Sequence, residues 1–442
     1  TVYKFGVKVP RNHYQAMQLD EENGNELWTT AESLEFGQID EYDTFLDLGR
    51  GVAAPSGYKK ITVHMVYDVK HDGRRKARLV AGGHLTDTPL ESVYSGVVSL
   101  RGLRLVIFLG ELNHLKTWAT DVGNAYLEAK TREKVYVIGG PEFTNRQGHT
   151  LIIQRALYGL KLSGKMWGER SADIFREMGF VASRTEDDIW MKDKGDHYEY
   201  IARYVDDLAI VSKDPASIIK SLTETYKLKL KGTGPIGYHL GCDFFRDSHG
   251  VLCMSPKKYI EKMVLNYEMM FGCKPSHRVT SPLESNDHPE LDTSPELDDE
   301  GIKRYQSLIG AIQWSVSIGR LDVATAVMTM SKFRAAPRKG HLERVKRMVG
   351  YLSKMKEATI RFRIEKPDMS AFQRADFDWE QSVYGDCKEL IPQDIPEPKG
   401  EIITMISFVD ANLMHDVLTG RSVTGVIHFL NKTPIDYFSK KQ

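Results

Sequence analysis

YVDDLAIV, residues 204 to 211, sets two adjacent carboxylates inside an apolar, β-prone run. Tyr198, Tyr200 and Ile201 stand before it, and Leu208, Ile210 and Val211 close it. Such a run folds back most simply at Asp206 and Asp207, and Asp is a common turn residue. Two-residue hairpin turns, however, favour Asp-Gly or Asn-Gly, whereas here Leu208 follows the second Asp. Paired carboxylates in apolar surroundings repel each other and are costly unless a cation neutralises them. By itself the stretch leaves a plain turn and a metal site equally open.

At 442 residues the chain is too long for one ordinary core, so about two to four domains are expected. An apolar fraction of 41% and a charged fraction of 27% are those of a globular protein. No apolar run approaches the ~18 residues of a membrane span, and no signal peptide opens the chain. The first residue is Thr1 rather than Met, which suggests a piece of a longer polypeptide. Cys242, Cys253, Cys273 and Cys387 form no CxxC and have no close His partner. That argues against a zinc module or disulfide scaffold and fits a reducing compartment.

Net charge is zero, but charge is unevenly spread. Residues 332 to 347, KFRAAPRKGHLERVKR, hold seven Lys or Arg against Glu343 alone, and KHDGRRKAR at 70 to 78 is also basic. Residues 284 to 300, ESNDHPELDTSPELDDE, carry eight acids and no Lys or Arg, and read as an exposed linker or loop. A solvated helix face is the ordinary reading of the basic run; a phosphate-binding face is the sharper one.

Residues 58 to 81 alternate like two strands around a turn at His71-Asp72-Gly73. Helical spacing runs over 100 to 116, and WATDVGNAYLEA (118 to 129) passes from strand to turn or helix. VYVIGG (135 to 140) is a short strand. A helix over 157 to 178 would bury Leu157, Leu160, Met166, Trp167, Ile174, Phe175 and Met178. After the acidic hairpin come a helix near 215 to 226 and a strand near 237 to 245. The stretches 256 to 275, 302 to 333 and 341 to 356 are mostly helical, and strands return beyond Pro398. Helices and strands mixed in this way, with acids at strand ends, give an α+β class. Gly310 inside an apolar helix costs about 1 kcal/mol against Ala, so a close approach by some partner is expected there.

A third acid is available. Asp121 ends a short apolar strand before Val122-Gly123-Asn124-Ala125-Tyr126. Three clustered carboxylates suit two Mg²⁺ ions with water and phosphate completing the shells, the arrangement that supports in-line phosphoryl transfer. As a lone residue Asp121 would be read as a helix cap.

DVGNAY together with YVDD resembles the catalytic motifs of reverse transcriptases. KARLVAGGH (76 to 84), ALYGLKLSGKMW (156 to 167), GYHLG (237 to 241), YQSLIGAIQW (305 to 314) and GRSVTGVIHFLNKTPIDYFSKKQ (420 to 442) resemble, in order and spacing, the Pol polyprotein of copia-type LTR retrotransposons. The resemblance covers about 58 to 442. It implies an RNA-directed DNA polymerase with a right-hand fold of fingers, palm and thumb, and an RRM- or ferredoxin-like palm sheet. It implies an attack by a primer 3′-hydroxyl on the α-phosphate of a dNTP. Asp121, Asp206 and Asp207 match the ligands of two Mg²⁺, with Mn²⁺ as a substitute. Lys76 and Arg78 match a basic strand facing the triphosphate, with a one-residue ambiguity in register. Tyr158 and Gly159 match positions beside the nucleotide, and Lys161 lies near them. Tyr126 matches an aromatic gate against a 2′-hydroxyl, the group that separates RNA from DNA precursors; core packing is its other reading.

Leu240-Gly241 is similar to a primer-grip hairpin. Gly310 and Trp314 match a helix tracking the minor groove, with helix packing as the alternative, and Lys339 and Arg344 of the basic run would meet phosphates. The implied layout is a leader at 1–57, fingers and palm at 58–242, thumb at 243–340 with an acidic loop at 284–300, a connection at 341–400 and a truncated ribonuclease H-like start at 401–442. Asp410 matches the first metal ligand of that last domain. The chain ends before the others, so no RNA cleavage is expected of it. The implied partners are an RNA or DNA template–primer, dNTPs and other products of the polyprotein. The implied setting is a cytoplasmic retrotransposon particle, with no membrane. Rival readings are a catalytically silent nucleic-acid-binding remnant, an assembly segment of a polyprotein, and another palm enzyme such as a nucleotide cyclase.

Overall fold

The computed structural model describes residues 2–4, 7–70, 73–371, 392–393 and 395–442. His71 and Asp72 of the expected turn, Cys387 and residues 372–391 of the expected connection lie outside the described residues.

Strands β1 (Val2–Lys4) and β2 (Val7–Val9) pair and lead into helices α1 (His13–Asn23) and α2 (Leu27–Glu41). Asn12 caps α1, and Gly24 ends it at φ 61°, where glycine is favoured. The buried Asp20 carboxylate accepts the N–H groups of Trp28 and Thr29 (3.0 and 2.8 Å) and so starts α2. Strands β3 (Phe45–Arg50), β4 (Lys59–Lys60), β5 (Val63–Val69) and β6 (Arg75–Ala81) follow. The β5–β6 hairpin falls where alternation predicts it, and α2 lies along β6. Trp28, Ile39, Leu79 and Val137 share the core of this part.

Helix α3 (Leu100–Leu112) is capped by Ser99. It precedes β7 (Lys116–Val122), β8 (Val135–Ile138) and β9 (His149–Ile153); β3, β9, β8 and β4 form one sheet in that order. Helix α4 (Ser163–Glu177) begins later than the spacing predicts, because Gly159, at φ 92°, turns the chain first. Then come β10 (Val181–Ala182), β11 (Ile189–Asp193), β12 (Tyr198–Tyr204), β13 (Asp207–Ser212), α5 (Pro215–Lys220) and β14 (Leu230–Pro235).

The central sheet is antiparallel throughout, in the order β10-β11-β12-β13-β7-β14. Side chains alternate across it. Ala209 and Val211 join the core of α3, whereas Leu208 and Ile210 join Trp167, Phe175 and Ile218 of α4 and α5. The sheet is thus held between helices on both faces, and only its ends remain for chemistry.

Strands β15 (Tyr238–His239), β16 (Cys242–Arg246) and β17 (Leu252–Ser255) begin a second sheet. Helices α6 (Lys257–Phe271), α7 (Asp299–Ser317), α8 (Ala324–Ser331) and α9 (Lys339–Lys354) pack around Ile260, Tyr305, Ile309, Met330, Val345 and Met348. The stretch 302 to 333 is mostly helical as expected, and it is divided into two helices parted at Gly319 with φ 126°. Strand β18 (Ile360–Arg361) completes the second sheet. A meander of β19 (Met405–Asp416), β20 (Arg421–Leu430) and β21 (Thr433–Lys441) ends the chain. It rests on α3 and α7, where the buried Arg104 donates to the carbonyls of Ile435 (2.7 Å) and Ser317 (3.0 Å). Among the described residues no helix is long and apolar enough to cross a membrane.

The acidic stretch is the largely exposed loop its composition suggests, but it is not free of the fold. It runs along α9. Arg344 donates to both carboxylate oxygens of Asp287 (2.8–3.0 Å) and to Asp292 (2.6 Å), and Arg347 reaches Glu284 (3.0 Å). The Gly340 N–H bonds the Ser294 hydroxyl, and the Lys339 N–H bonds the Pro295 carbonyl.

Candidate active site

The acidic hairpin forms at the end of the central sheet. Tyr204 pairs with Asp207, so Val205 and Asp206 make the turn. On the other side of β13, Asp207 pairs directly with Asp121 of β7, and Asp121 pairs in turn with Lys231 of β14. Residues directly opposite on neighbouring antiparallel strands share one face. Lys231, Asp121 and Asp207 therefore stand in a row across the sheet, with Asp206 at the tip beside them. The Asp206 carbonyl accepts the Val122 N–H (2.7 Å), which binds the tip to the strand that carries Asp121.

Asp121 and Asp206 open into a cleft of about 450 Å³, and Asp207 stands beside Asp121 on the neighbouring strand without lining it. Asp121, Asp206 and Lys231 line it from the sheet, Lys76 and Arg78 from β6, Tyr158 from the turn before α4, and Glu35 from α2. The Arg78 guanidinium carbon lies 4.6 Å from the centre of the Tyr158 ring. That ring is 4.8 Å from the ring of Tyr126, which also packs on the core around Trp167. The half-buried Tyr126 ring thus meets the core-packing reading, and it touches the cleft only through Tyr158.

Burial dominates the electrostatics. It pushes the Asp207 carboxyl up to about 6, aided by the charges of Asp206 and Asp121. It raises Asp121 as well, followed by the charge of Asp206, while Lys231 and Lys76 oppose the shift. Lys76 is lowered to about 8 by burial and then by Arg78 and Lys70. Burial likewise lifts Tyr158 to about 12. The site therefore concentrates negative charge on the sheet and positive charge on the facing strand.

Among the described residues, no three carboxylate, imidazole or thiol groups are gathered into a ready-made metal cage. The donor set still fits a hard divalent cation. It is oxygen only, acidic and half-buried, and it opens into space where water and phosphate oxygens would complete a shell. A larger cleft, about 770 Å³, lies between α4 and residues 184–188. Its charges are already matched, Arg203 with Asp188 and Arg132 with Glu169. The smaller cleft is the better candidate because, among the described residues, Asp121 and Asp206 form no such ion pair, and Lys231, Lys76 and Lys70 act on Asp121 only as nearby charges.

The other expected site residues separate into groups. Gly159 is fixed by packing: a Cβ there would stand 2.1 Å from the Ala81 carbonyl oxygen, and the Ala81 N–H bonds the Tyr158 carbonyl (2.7 Å). It welds β6 to the turn that carries Tyr158. Lys161 lies outside this cleft and donates to the Thr86 carbonyl (2.7 Å). Leu240 and Gly241, at φ 47° and 85°, form the two-residue turn between β15 and β16. That hairpin is tied to β7 through the Ile236 N–H and the Thr117 carbonyl (3.0 Å). Gly310 is exposed with nothing within 4 Å of a built Cβ, so packing within the chain does not explain it. Trp314 is half-buried against the core under α3. Lys339 is exposed at the start of α9. Arg344 corrects the expectation of a phosphate contact, because Asp287 and Asp292 already occupy its guanidinium. Asp410 lies on β19, in the carboxy-terminal sheet.

Three participants escaped the sequence reading. Lys231 was signalled by alternating Lys229 and Lys231, which put cations on one strand face. Glu35 carried no signal; its carboxylate accepts the Leu79 N–H (3.0 Å) on β6, and burial raises its pKa. Trp167 was read as core, yet its indole N–H bonds the Val205 carbonyl of the acidic turn (2.6 Å).

A family model described as Reverse transcriptase (RNA-dependent DNA polymerase) matches residues 47–282, more than half of the chain. The chain belongs to that family. Its relatives are proteins of copia-type transposons. A putative transposon Ty5-1 protein of Saccharomyces cerevisiae is 28% identical over 291 residues, 65% of this chain and 89% of its own length. The Retrovirus-related Pol polyprotein from transposon RE1 of Arabidopsis thaliana is 26% identical over 374 residues, 84% of this chain and 23% of its own. The corresponding polyprotein from transposon TNT 1-94 of Nicotiana tabacum is 27% identical over 319 residues, 68% and 24% respectively. The chain thus spans most of the first relative and under a quarter of the other two.

Proposed function

We propose that this chain is an RNA-directed DNA polymerase that adds dNTPs to the 3′-hydroxyl of a primer on an RNA or DNA template. The observation that carries the reading is the pairing of Asp121 with Asp207 on adjacent strands, with Asp206 at the adjoining tip, where Asp121 and Asp206 face Lys76 and Arg78 across one cleft. In this reading the central sheet is the palm, β5–β6 the fingers and α6–α9 the thumb. Asp121, Asp206 and Asp207 would hold a pair of Mg²⁺ ions, or Mn²⁺ in their place, which would supply charge stabilisation for phosphoryl transfer.

The chain's own groups do the rest. Lys76 and Arg78 take the triphosphate, and stacking on Tyr158 fixes the direction of the Arg78 fork. The Tyr126 ring bounds the sugar. The Leu240–Gly241 turn guides the primer end, and the bare Gly310 surface admits duplex backbone. Lys339 adds sequence-independent affinity for phosphates. The segment 401–442, with Asp410, is the start of a ribonuclease H-like unit. Other products of the polyprotein are the expected partners and a cytoplasmic particle the expected setting.

Primer extension on an RNA template with Mg²⁺ and dNTPs tests this, beside Asp206→Asn and an EDTA control. Extension by the wild type, lost in both controls while duplex binding persists, is the expected result. An Asp206→Asn variant that still extends would refute the assignment of the acids.

A further inference from the structure

Val205 stands at φ 56° in the left-handed region. A β-branched residue there is a genuine outlier. Gly, Asn or Asp would take the conformation readily; Val does so only against steric resistance. Such strain persists where the surroundings over-determine the backbone. The surroundings here are specific. Trp167, 1% exposed in the core between α4 and the sheet, donates its indole N–H to the Val205 carbonyl at 2.6 Å. The next carbonyl, of Asp206, accepts the Val122 N–H at 2.7 Å. The two peptide groups that flank the Asp206 Cα are therefore each pinned, one to α4 and one to β7.

We propose that Trp167 is a positioning residue, whose indole N–H holds the Val205–Asp206 peptide in the strained turn that aims the Asp206 carboxylate into the cleft beside Asp121. The indole has one polar atom, and in a core otherwise lined by Phe175, Ile201 and Leu208 it is directed at this single turn. Packing alone would be served by Phe. What the carboxylate does once aimed rests on the polymerase reading; the clamp itself is a property of the backbone.

The test is a double-mutant cycle of Trp167→Phe and Val205→Gly. It reads Mn²⁺ binding in the presence of dTTP by electron paramagnetic resonance, primer extension and melting temperature. In the Val205 background, Trp167→Phe is expected to weaken Mn²⁺ binding about tenfold and lower kcat more than it raises KM for dTTP, as small misplacements of reacting groups do. In the Val205→Gly background the same change is expected to cost less than about twofold, because glycine adopts positive φ without strain. An equal loss in both backgrounds, or wild-type Mn²⁺ binding by Trp167→Phe, overturns the clamp. If Trp167→Phe alone fails to fold, the double variant decides: Mn²⁺ binding equal to that of Val205→Gly supports the clamp, and failure to fold or bind overturns it. Mn²⁺ binding by the wild type without extension counts against the polymerase reading and leaves the clamp to be judged on binding. Extension by the wild type and Trp167→Phe alike refutes the clamp and leaves the polymerase reading standing.

Discussion

Asp207→Asn is expected to abolish extension and, in the absence of metal, to stabilise the protein. Asp207 is half-buried opposite Asp121, with Asp206 before it in the chain. Burial and these two charges push its carboxyl from 3.8 up to about 6. Between about pH 4 and pH 6 the folded chain therefore keeps a proton that the unfolded chain releases. Stability is lost as pH rises through that window, and at neutral pH the ionised carboxylate is a net burden on the fold. At 1.36 kcal/mol per pH unit the shift corresponds to at most about 3 kcal/mol. Partial exposure screens the charges, which reduces the expected effect to about 1–2 kcal/mol. Asn has nearly the same shape and no charge. Urea denaturation in EDTA at pH 4 and pH 7.5 measures the difference. The variant should match the wild type at the lower pH and exceed it by about 1–2 kcal/mol at the higher one. Mg²⁺ with dNTP should then stabilise the wild type and not the variant. An Asn variant that is less stable than the wild type at pH 7.5 in EDTA would refute the reasoning, since the three carboxylates could not then be held in mutual repulsion.

Further outcomes follow from other parts of the structure. Arg344→Ala should cost about 2 kcal/mol, because it leaves Asp287 and Asp292 without their shared cation; duplex affinity measured against salt should hardly change, and a large fall would restore Arg344 to the nucleic-acid surface. Gly310→Ala should raise stability by up to about 1 kcal/mol, as expected for an exposed helix interior, while shortening the products of a single binding event; unchanged product lengths would remove α7 from the duplex path. Lys76, lowered to about 8, loses its charge as pH rises through that value. The kcat/KM for dNTP should therefore fall above about pH 8 in the wild type, and Lys76→Met should be low and flat over the same range. A wild-type profile that stays level to pH 9.5 would separate Lys76 from the triphosphate.

The central sheet was legible because its signals are local. Residues 198 to 212 are a nearly continuous apolar, β-prone run, and a pair of acids interrupts it at the turn. The Asp121–Asp207 pairing was legible only as two strand ends, because the register between strands about 85 residues apart is set by non-local packing that no spacing encodes. The Trp167 clamp was hidden for a related reason. A buried indole satisfies the apolar stripe of α4 whether or not its N–H has a special partner. The amino-terminal helices were missed for lack of any pattern. Glu35 and Gln38 sit on a helix of mixed polarity, yet α2 lies along β6 and both residues border the cleft. The expected leader is therefore a wall of the candidate site.

Charge runs misled in a more instructive way. The stretch 284–300 looked solvated because it is acidic, and 332–347 looked like a phosphate surface because it is basic. Each was read alone. In one chain, however, two complementary runs are present at an effective concentration that no free nucleic acid matches, so they are first of all ligands for each other. The structure joins them along one side of α9, where Arg344 and Arg347 are taken up by Asp287, Asp292 and Glu284. What remains for phosphates is the part of the run that the acids do not reach, with Lys339 exposed at the start of the helix. The basic run is thus an overestimate of the surface available to a duplex. The salt dependence of binding should be governed by fewer cations than the seven that the stretch contains.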